Sequence, residues 1–161
     1  MILRSRLFAC LAPLLACGGA LAAGGSGPSA LTGSWRAECD AWGTPAVCTQ
    51  DWAPGLHADQ TTIHYAIRGA ADGATIFEGR GVYRDAAGAI GGYWSDSGGA
   101  IHPLSSVWED GTLVTHWGVA GGEQGRTEYA LTPDGTMTVT DWSLTDDGWV
   151  RFMTVDYERA D

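Results

Sequence analysis

The sequence contains no lysine: its nine basic residues are all arginine, set against 19 Asp and Glu, for a formal net charge of −10. Such a surface repels phosphate backbones and anionic headgroups, and no basic stripe or aromatic-basic repeat offsets it, so nucleic-acid binding is disfavoured. Acidity tolerates a cationic partner but mostly serves solubility. The apolar stretch 7–16 is short and runs into Gly18 and Gly19, so it does not span a bilayer. No segment carries a helical hydrophobic period of ten or more residues. Gly-x-Ser-x-Gly, His-x-His and HExxH are all missing, which removes the usual sequence signs of a serine hydrolase or a zinc enzyme.

Abundant residues point to a folded chain. Of 161 residues, 24 are Gly and eight are Trp, with 45% hydrophobic overall, too apolar for a disordered or collagen-like chain and sized for one domain. Residues 1–22 read as a signal peptide: Arg4 and Arg6 begin it, and Ala20-Leu21-Ala22 is a small-x-small cleavage site. Cleavage leaves seven arginines against 19 acids, a mature charge of −12. It also removes Cys10 and Cys17, leaving Cys39 and Cys48, and two cysteines in an exported protein suggest one disulfide. Closing a loop of about ten residues stabilises the fold by roughly 2.5–3 kcal/mol in the chain-entropy model. The alternative is a lipoprotein box, Leu14-Leu15-Ala16-Cys17, with Cys17 as a lipid anchor; Pro13 before it and the better site at Ala22 favour free export.

After a flexible lead over 23–29, the domain over 30–161 reads as strands separated by turns. Four Asp-Gly pairs (Asp72-Gly73, Asp110-Gly111, Asp134-Gly135 and Asp147-Gly148) suit type I′ hairpins, where both central residues take positive φ. Between turns lie about nine strands: 34–37, 61–68, 75–84, 89–95, 101–108, 112–119, 126–131, 136–143 and 149–157. Ile63, Tyr65 and Ile67 alternate with Thr62, His64 and Arg68, the period of a two-faced sheet. Strands joined in order by hairpins give an antiparallel meander, and closing it into an all-β up-and-down barrel of about eight to ten strands removes the edges. Gly79, Gly81, Gly91 and Gly92 suit the bends of closure. Residues 38–59 carry both cysteines, Pro45, Pro54, Trp42 and Trp52 without clear alternation, and read as a disulfide-pinned loop or lid. These two Trp either flank a ligand mouth or cap the core.

Gly33-Ser34-Trp35, the run from Gly92 through Tyr93, Trp94, Ser95, Asp96 and Ser97 to Gly98-Gly99, and Tyr157-Glu158-Arg159 together resemble the lipocalin-like (calycin) barrels, most closely an exported bacterial branch catalogued as a domain of unknown function. The resemblance implies that Trp35 packs against Arg159 at the closed end of the barrel, a structural role for both. It also implies a cavity for a small, largely apolar molecule and no shared catalytic residues. Thr140-Asp141-Trp142 is similar to a second lipocalin motif but falls within a strand, so nothing is carried over from it.

Chemistry is sparse. His57, His64, His102 and His116 form no metal-binding spacing, and a two-residue turn at Asp110-Gly111 sets His116 opposite Ser105, away from His102. A single His inside a barrel can ligate haem iron, but a surface or satisfied His is commoner, so no metal or cofactor is expected. Ser95-Asp96-Ser97-Gly98 is explained by turn chemistry. Among Glu78, Glu109, Glu128, Asp96 and Asp141, the last shares parity with Met137 and Val139 and so points inward, with Arg151 or Arg126 as the expected partner. The expected function is that of a periplasmic or secreted, non-catalytic barrel binding a small hydrophobic or amphipathic ligand at Tyr93, Trp94, His116, Trp117, Trp142 and Asp141. An acidic envelope interaction module or inhibitor of a basic partner, and a small isomerase or cyclase working with one acid, are the alternatives. Adjacent residues in these candidate pairs have opposite parity, so some must face outward.

Overall fold

A computed structural model describes residues 26–160. The expected signal peptide, the Cys17 alternative and the start of the expected lead lie outside the described residues. Ten strands follow in order: β1 (Gly33–Ala41), β2 (Thr44–Pro54), β3 (Gln60–Gly69), β4 (Thr75–Ala86), β5 (Ala89–Asp96), β6 (Ile101–Glu109), β7 (Thr112–Gly118), β8 (Gln124–Leu131), β9 (Met137–Thr145) and β10 (Gly148–Arg159). Each pairs antiparallel with its sequence neighbour, and β10 returns to β1, so the meander closes into a barrel. The all-β, up-and-down fold class is as the sequence implies.

The structure corrects the reading of residues 38–59. They are no loop: β1 runs on to Ala41 and β2 occupies Thr44–Pro54, which raises the strand count from nine to ten. Ala46, Cys48, Gln50 and Trp52 of β2 are buried, while Val47, Thr49 and Asp51 alternate with them. A Gln and a Cys on the inner face and a Val on the outer flatten the hydropathy contrast that marks a strand. Pro45 and Pro54 sit near the strand's two ends, where a missing N–H is tolerated.

The turn chemistry is also redistributed. Only Asp110-Gly111 among the four Asp-Gly pairs has positive φ at both residues, 48° and 81°. Trp42-Gly43 (53° and 89°) and Ala87-Gly88 (55° and 87°) make the other two such hairpins. Asp72 and Asp134 instead turn their carboxylates back to accept from the amides of Ala74 and Thr136.

Cys39 and Cys48 form a disulfide with their Cα atoms 5.9 Å apart. It bridges β1 and β2 diagonally, since Cys39 faces Ala46 and Ala37 faces Cys48 in register. At one end of the barrel a 3₁₀ turn, Pro28–Leu31, forms a plug, so the packed chain begins two residues before the expected boundary. Leu31 is fully buried, and its carbonyl accepts from Trp35 Nε1 at 2.8 Å. Arg159 lies over the Trp35 ring at 4.0 Å and stands opposite it in register. The seam there is short, because β1 and β10 pair only through Trp35 with Arg159 and Arg36 with Glu158. The core below mid-barrel is dense: Leu31, Trp35, Tyr83, Leu113 and Met137 are all essentially inaccessible.

Candidate functional site

Above this packed half the interior opens. Tyr83 and Tyr129 form the floor, packed 5.3 Å and 5.1 Å from the buried Trp52 ring, whose Nε1 donates to Gln50 Oε1 at 3.0 Å. A cavity of about 420 Å³ lies above it, within the size range of small-molecule sites. Strand alternation supplies its walls: Tyr65 from β3, Phe77 from β4, Trp94 from β5, Leu104 from β6, Trp117 from β7, Val139 from β9, and Met153 and Val155 from β10. Tyr65 packs 6.0 Å from Phe77 and 6.5 Å from Trp94. Two glycines make room for the indoles, since a Cβ on Gly79 would collide with Trp94 and one on Gly125 with Trp117. The mouth lies at the end opposite the plug, between the β1–β2, β5–β6 and β7–β8 turns. Trp42, Gly98, Ala100, Glu123 and Phe152 reach the cavity there, and Phe152 stands at an irregularity in β10 between Arg151 and Met153.

Polar groups are set among these walls at two depths. Deepest among the acids is Asp141 on β9. Thr127 Oγ1, from the facing position of β8, donates to its Oδ1 at 2.6 Å. Burial pushes the Asp141 carboxyl up to about 6, against the opposing pull of the Thr127 hydrogen bond. The hydroxyls of Tyr65, Tyr83, Tyr129 and Tyr157 are likewise pushed up by burial, which keeps them neutral and able to donate. Nearer the mouth, Asp96 accepts from Trp94 Nε1 at 3.0 Å and from the amides of Gly98 and Ala100, so it organises the β5–β6 turn. His102 stacks 5.2 Å from Trp117 and approaches Glu123 at 3.7 Å. Among the described residues no arginine lines the cavity, and no three His, Cys, Asp or Glu side chains converge as a metal site. No protein-family model matches the chain, and no curated protein matches it either.

Each adjacent pair among the expected ligand contacts is split by the strand period. Trp94, Trp117 and Asp141 line the cavity, whereas Tyr93, His116 and Trp142 do not. Tyr93 is exposed on the outer face. His116 lies 5.9 Å from Trp149 there, opposite Ser105 and apart from His102, as the hairpin arithmetic implies. Trp142 is covered on the outer face by Arg126 at 4.3 Å. Asp141 therefore has neither expected partner. Arg126 is drawn outward to Trp142 and to Glu128 at 3.1 Å, and Arg151 is exposed opposite Trp142. Of the other acids, Glu78 pairs outside with His64 at 2.7 Å, and Glu109 sits at the β6–β7 turn. Ser97 accepts from the Glu78 amide with Oγ, a turn role.

Sequence reasoning missed the tyrosines. Tyr65, Tyr83, Tyr129 and Tyr157 all line the cavity, and their signal was parity: Tyr65 sits between Ile63 and Ile67, and Tyr157 follows Met153 and Val155 at intervals of two. Trp42 and Trp52, the expected flanks of a mouth, divide the two roles: Trp42 reaches the mouth and is 65% exposed, while Trp52 is a core residue at 2%.

Proposed function

We propose that this protein is an exported, non-catalytic barrel of lipocalin-like type that binds a small hydrophobic or amphipathic molecule, in the periplasm or outside the cell. The observation that carries the reading is the open-ended cavity of about 420 Å³, walled mainly by aromatic and aliphatic side chains with polar groups set among them. A barrel packed solid throughout would have refuted it. The Arg159 stack on Trp35 at the plugged end supports the lipocalin resemblance, for which that contact is the expected closure. Export is supported by the disulfide, which persists in oxidising compartments. No described helix is long and apolar enough to cross a membrane.

The test is native mass spectrometry of protein purified gently from its own host, together with a titration of neutral Nile red followed by fluorescence. The reading expects a small-molecule adduct that is lost on denaturation, and saturable dye uptake that the displaced ligand competes with. A clean apo mass together with no dye uptake would overturn it. A second reading, acid–base catalysis of an isomerase or cyclase type, is favoured by one observation: a carboxyl held near neutrality inside an aromatic cavity. Turnover of the recovered ligand, abolished in Asp141→Asn, would establish it over binding alone.

A further inference from the structure

The cavity sets a deep acid, Asp141, among mostly aromatic and aliphatic walls, with no basic counterpart among the described residues. Asp141 has Thr127 as its only hydrogen-bonding side chain among the described residues, and that bond goes to Oδ1. No ion pair reaches it, the arginines nearest in sequence lie outside the wall, and His102 at the mouth is turned to Glu123. A buried carboxylate normally has a cationic or multiply hydrogen-bonded partner, and here none of the described residues supplies one.

We infer that the ligand supplies it: the cavity is built for an apolar or aryl-bearing amine whose protonated nitrogen seats against Asp141. This rests on the binding reading above and names the ligand class. An alkylammonium has N–H donors to spare, and the free side of Asp141 and the tyrosine hydroxyl oxygens are acceptors. The aromatic faces of Tyr65, Trp94 and Trp117 attract a cation through their quadrupoles, and the apolar remainder of the ligand fills the space between them. Asp96 and Glu123 near the mouth, and a chain with net charge −10, draw cations towards the opening and repel anions. A fatty acid would bring a second carboxylate to Asp141 with no arginine to receive it.

Proton linkage follows from the same geometry. The groups facing Asp141 are Thr127 and Tyr129 from β8, Tyr157 from β10, and Tyr65 and Tyr83 from β3 and β4 across the barrel; Asp96, His102 and Glu123 lie towards the mouth. The four tyrosines stay protonated throughout the neutral range, so at depth only Asp141 changes charge. With its carboxyl at about 6 in the empty site, it is almost wholly ionised at about pH 7.5 and about one-tenth ionised at about pH 5.

The test uses the mature protein with its disulfide intact and three matched probes, naphthylethylamine, the corresponding alcohol and the corresponding carboxylic acid, titrated calorimetrically. The amine is expected to bind at least about tenfold more tightly than the alcohol at about pH 7.5, with the acid weakest, and to weaken about tenfold at about pH 5. Asp141→Asn keeps an acceptor for Thr127 and should lower amine affinity by about thirtyfold or more, remove its pH dependence, and leave the alcohol within about threefold. Retained alcohol binding shows that the variant is folded, and it separates the effect of Asp141 from that of His102. Equal affinity for amine and alcohol, or an amine indifferent to Asp141→Asn, overturns the amine inference while the binding reading stands. Failure of all three probes and of Nile red overturns both.

Discussion

Asp141 makes stability depend on pH in the direction opposite to most carboxylates. Its carboxyl sits at about 6 in the fold against an ordinary value of 3.8, because burial disfavours the charge. A raised folded value means that the native state binds the proton more tightly than the unfolded chain. Asp141 therefore contributes stability fully present below about pH 4 and lost as pH rises through about 6. A difference of about two units at 1.36 kcal/mol each gives about 3 kcal/mol, the cost of ionising the buried acid at neutral pH. Asp141→Asn, neutral at every pH and still able to accept from Thr127, should therefore be about 3 kcal/mol more stable than the native protein at about pH 7, and nearly equal to it at about pH 4. In thermal unfolding that corresponds to roughly 10 °C at neutral pH. Urea midpoints for both proteins across this range, with unchanged m-values, measure the difference. Asp59 beside Arg84, Glu78 beside His64 and Asp134 beside Thr132 have lowered carboxyl values and the opposite sign, but they are common to both proteins and subtract out. A gap that stays flat with pH, or an Asn variant less stable at neutrality, would refute the argument.

Three further perturbations probe the frame. Replacing Cys39 and Cys48 together by Ser should lower unfolding free energy by about 2–3 kcal/mol, and a reductant should reproduce the loss in the native protein. Gly125→Ala drives a methyl group into the ring of Trp117, and Gly79→Ala does the same to Trp94; each should cost roughly 1–3 kcal/mol and shift tryptophan emission as the indole is displaced. Trp35→Ala removes the fully buried ring beneath Arg159 and should cost about 3–5 kcal/mol in denaturant unfolding.

The barrel was legible because turn residues and alternation are local signals: turns bounded nine of the ten strands, and alternation marked several of them. β2 was not, because its inner face contains Gln50 and Cys48, polar and thiol side chains that break the apolar alternation: Gln50 accepts from Trp52 two residues on and faces a cavity lined by four tyrosines from other strands, and Cys48 is bonded to Cys39 of β1. The turn at Trp42-Gly43 escaped notice because positive φ at the first position favours Asp without requiring it, whereas the turn at Ala87-Gly88 was marked by its flanking strands. In the site, composition selected aromatic-rich segments, but only parity separates Trp94 from Tyr93, Trp117 from His116 and Asp141 from Trp142, and the phase of each strand is fixed by closure. The partner of Asp141 was misjudged for the same reason. Arg126 is adjacent to Thr127, so the strand that presents Thr127 inward must present the arginine outward.

The short seam gives the disulfide a local meaning beyond chain entropy. Above Arg36, β1 has β2 on one side and no strand on the other, so residues 37–41 form the loosest stave of the barrel. Cys39 is on that stave and Cys48 is on its only neighbour, so the covalent rivet sits where hydrogen bonding is one-sided. Opening of the wall should therefore start at this flank of the cavity and stop at the rivet. Amide exchange over residues 37–41 should be slow with the bridge intact and speed up, spreading towards the plug, once it is reduced.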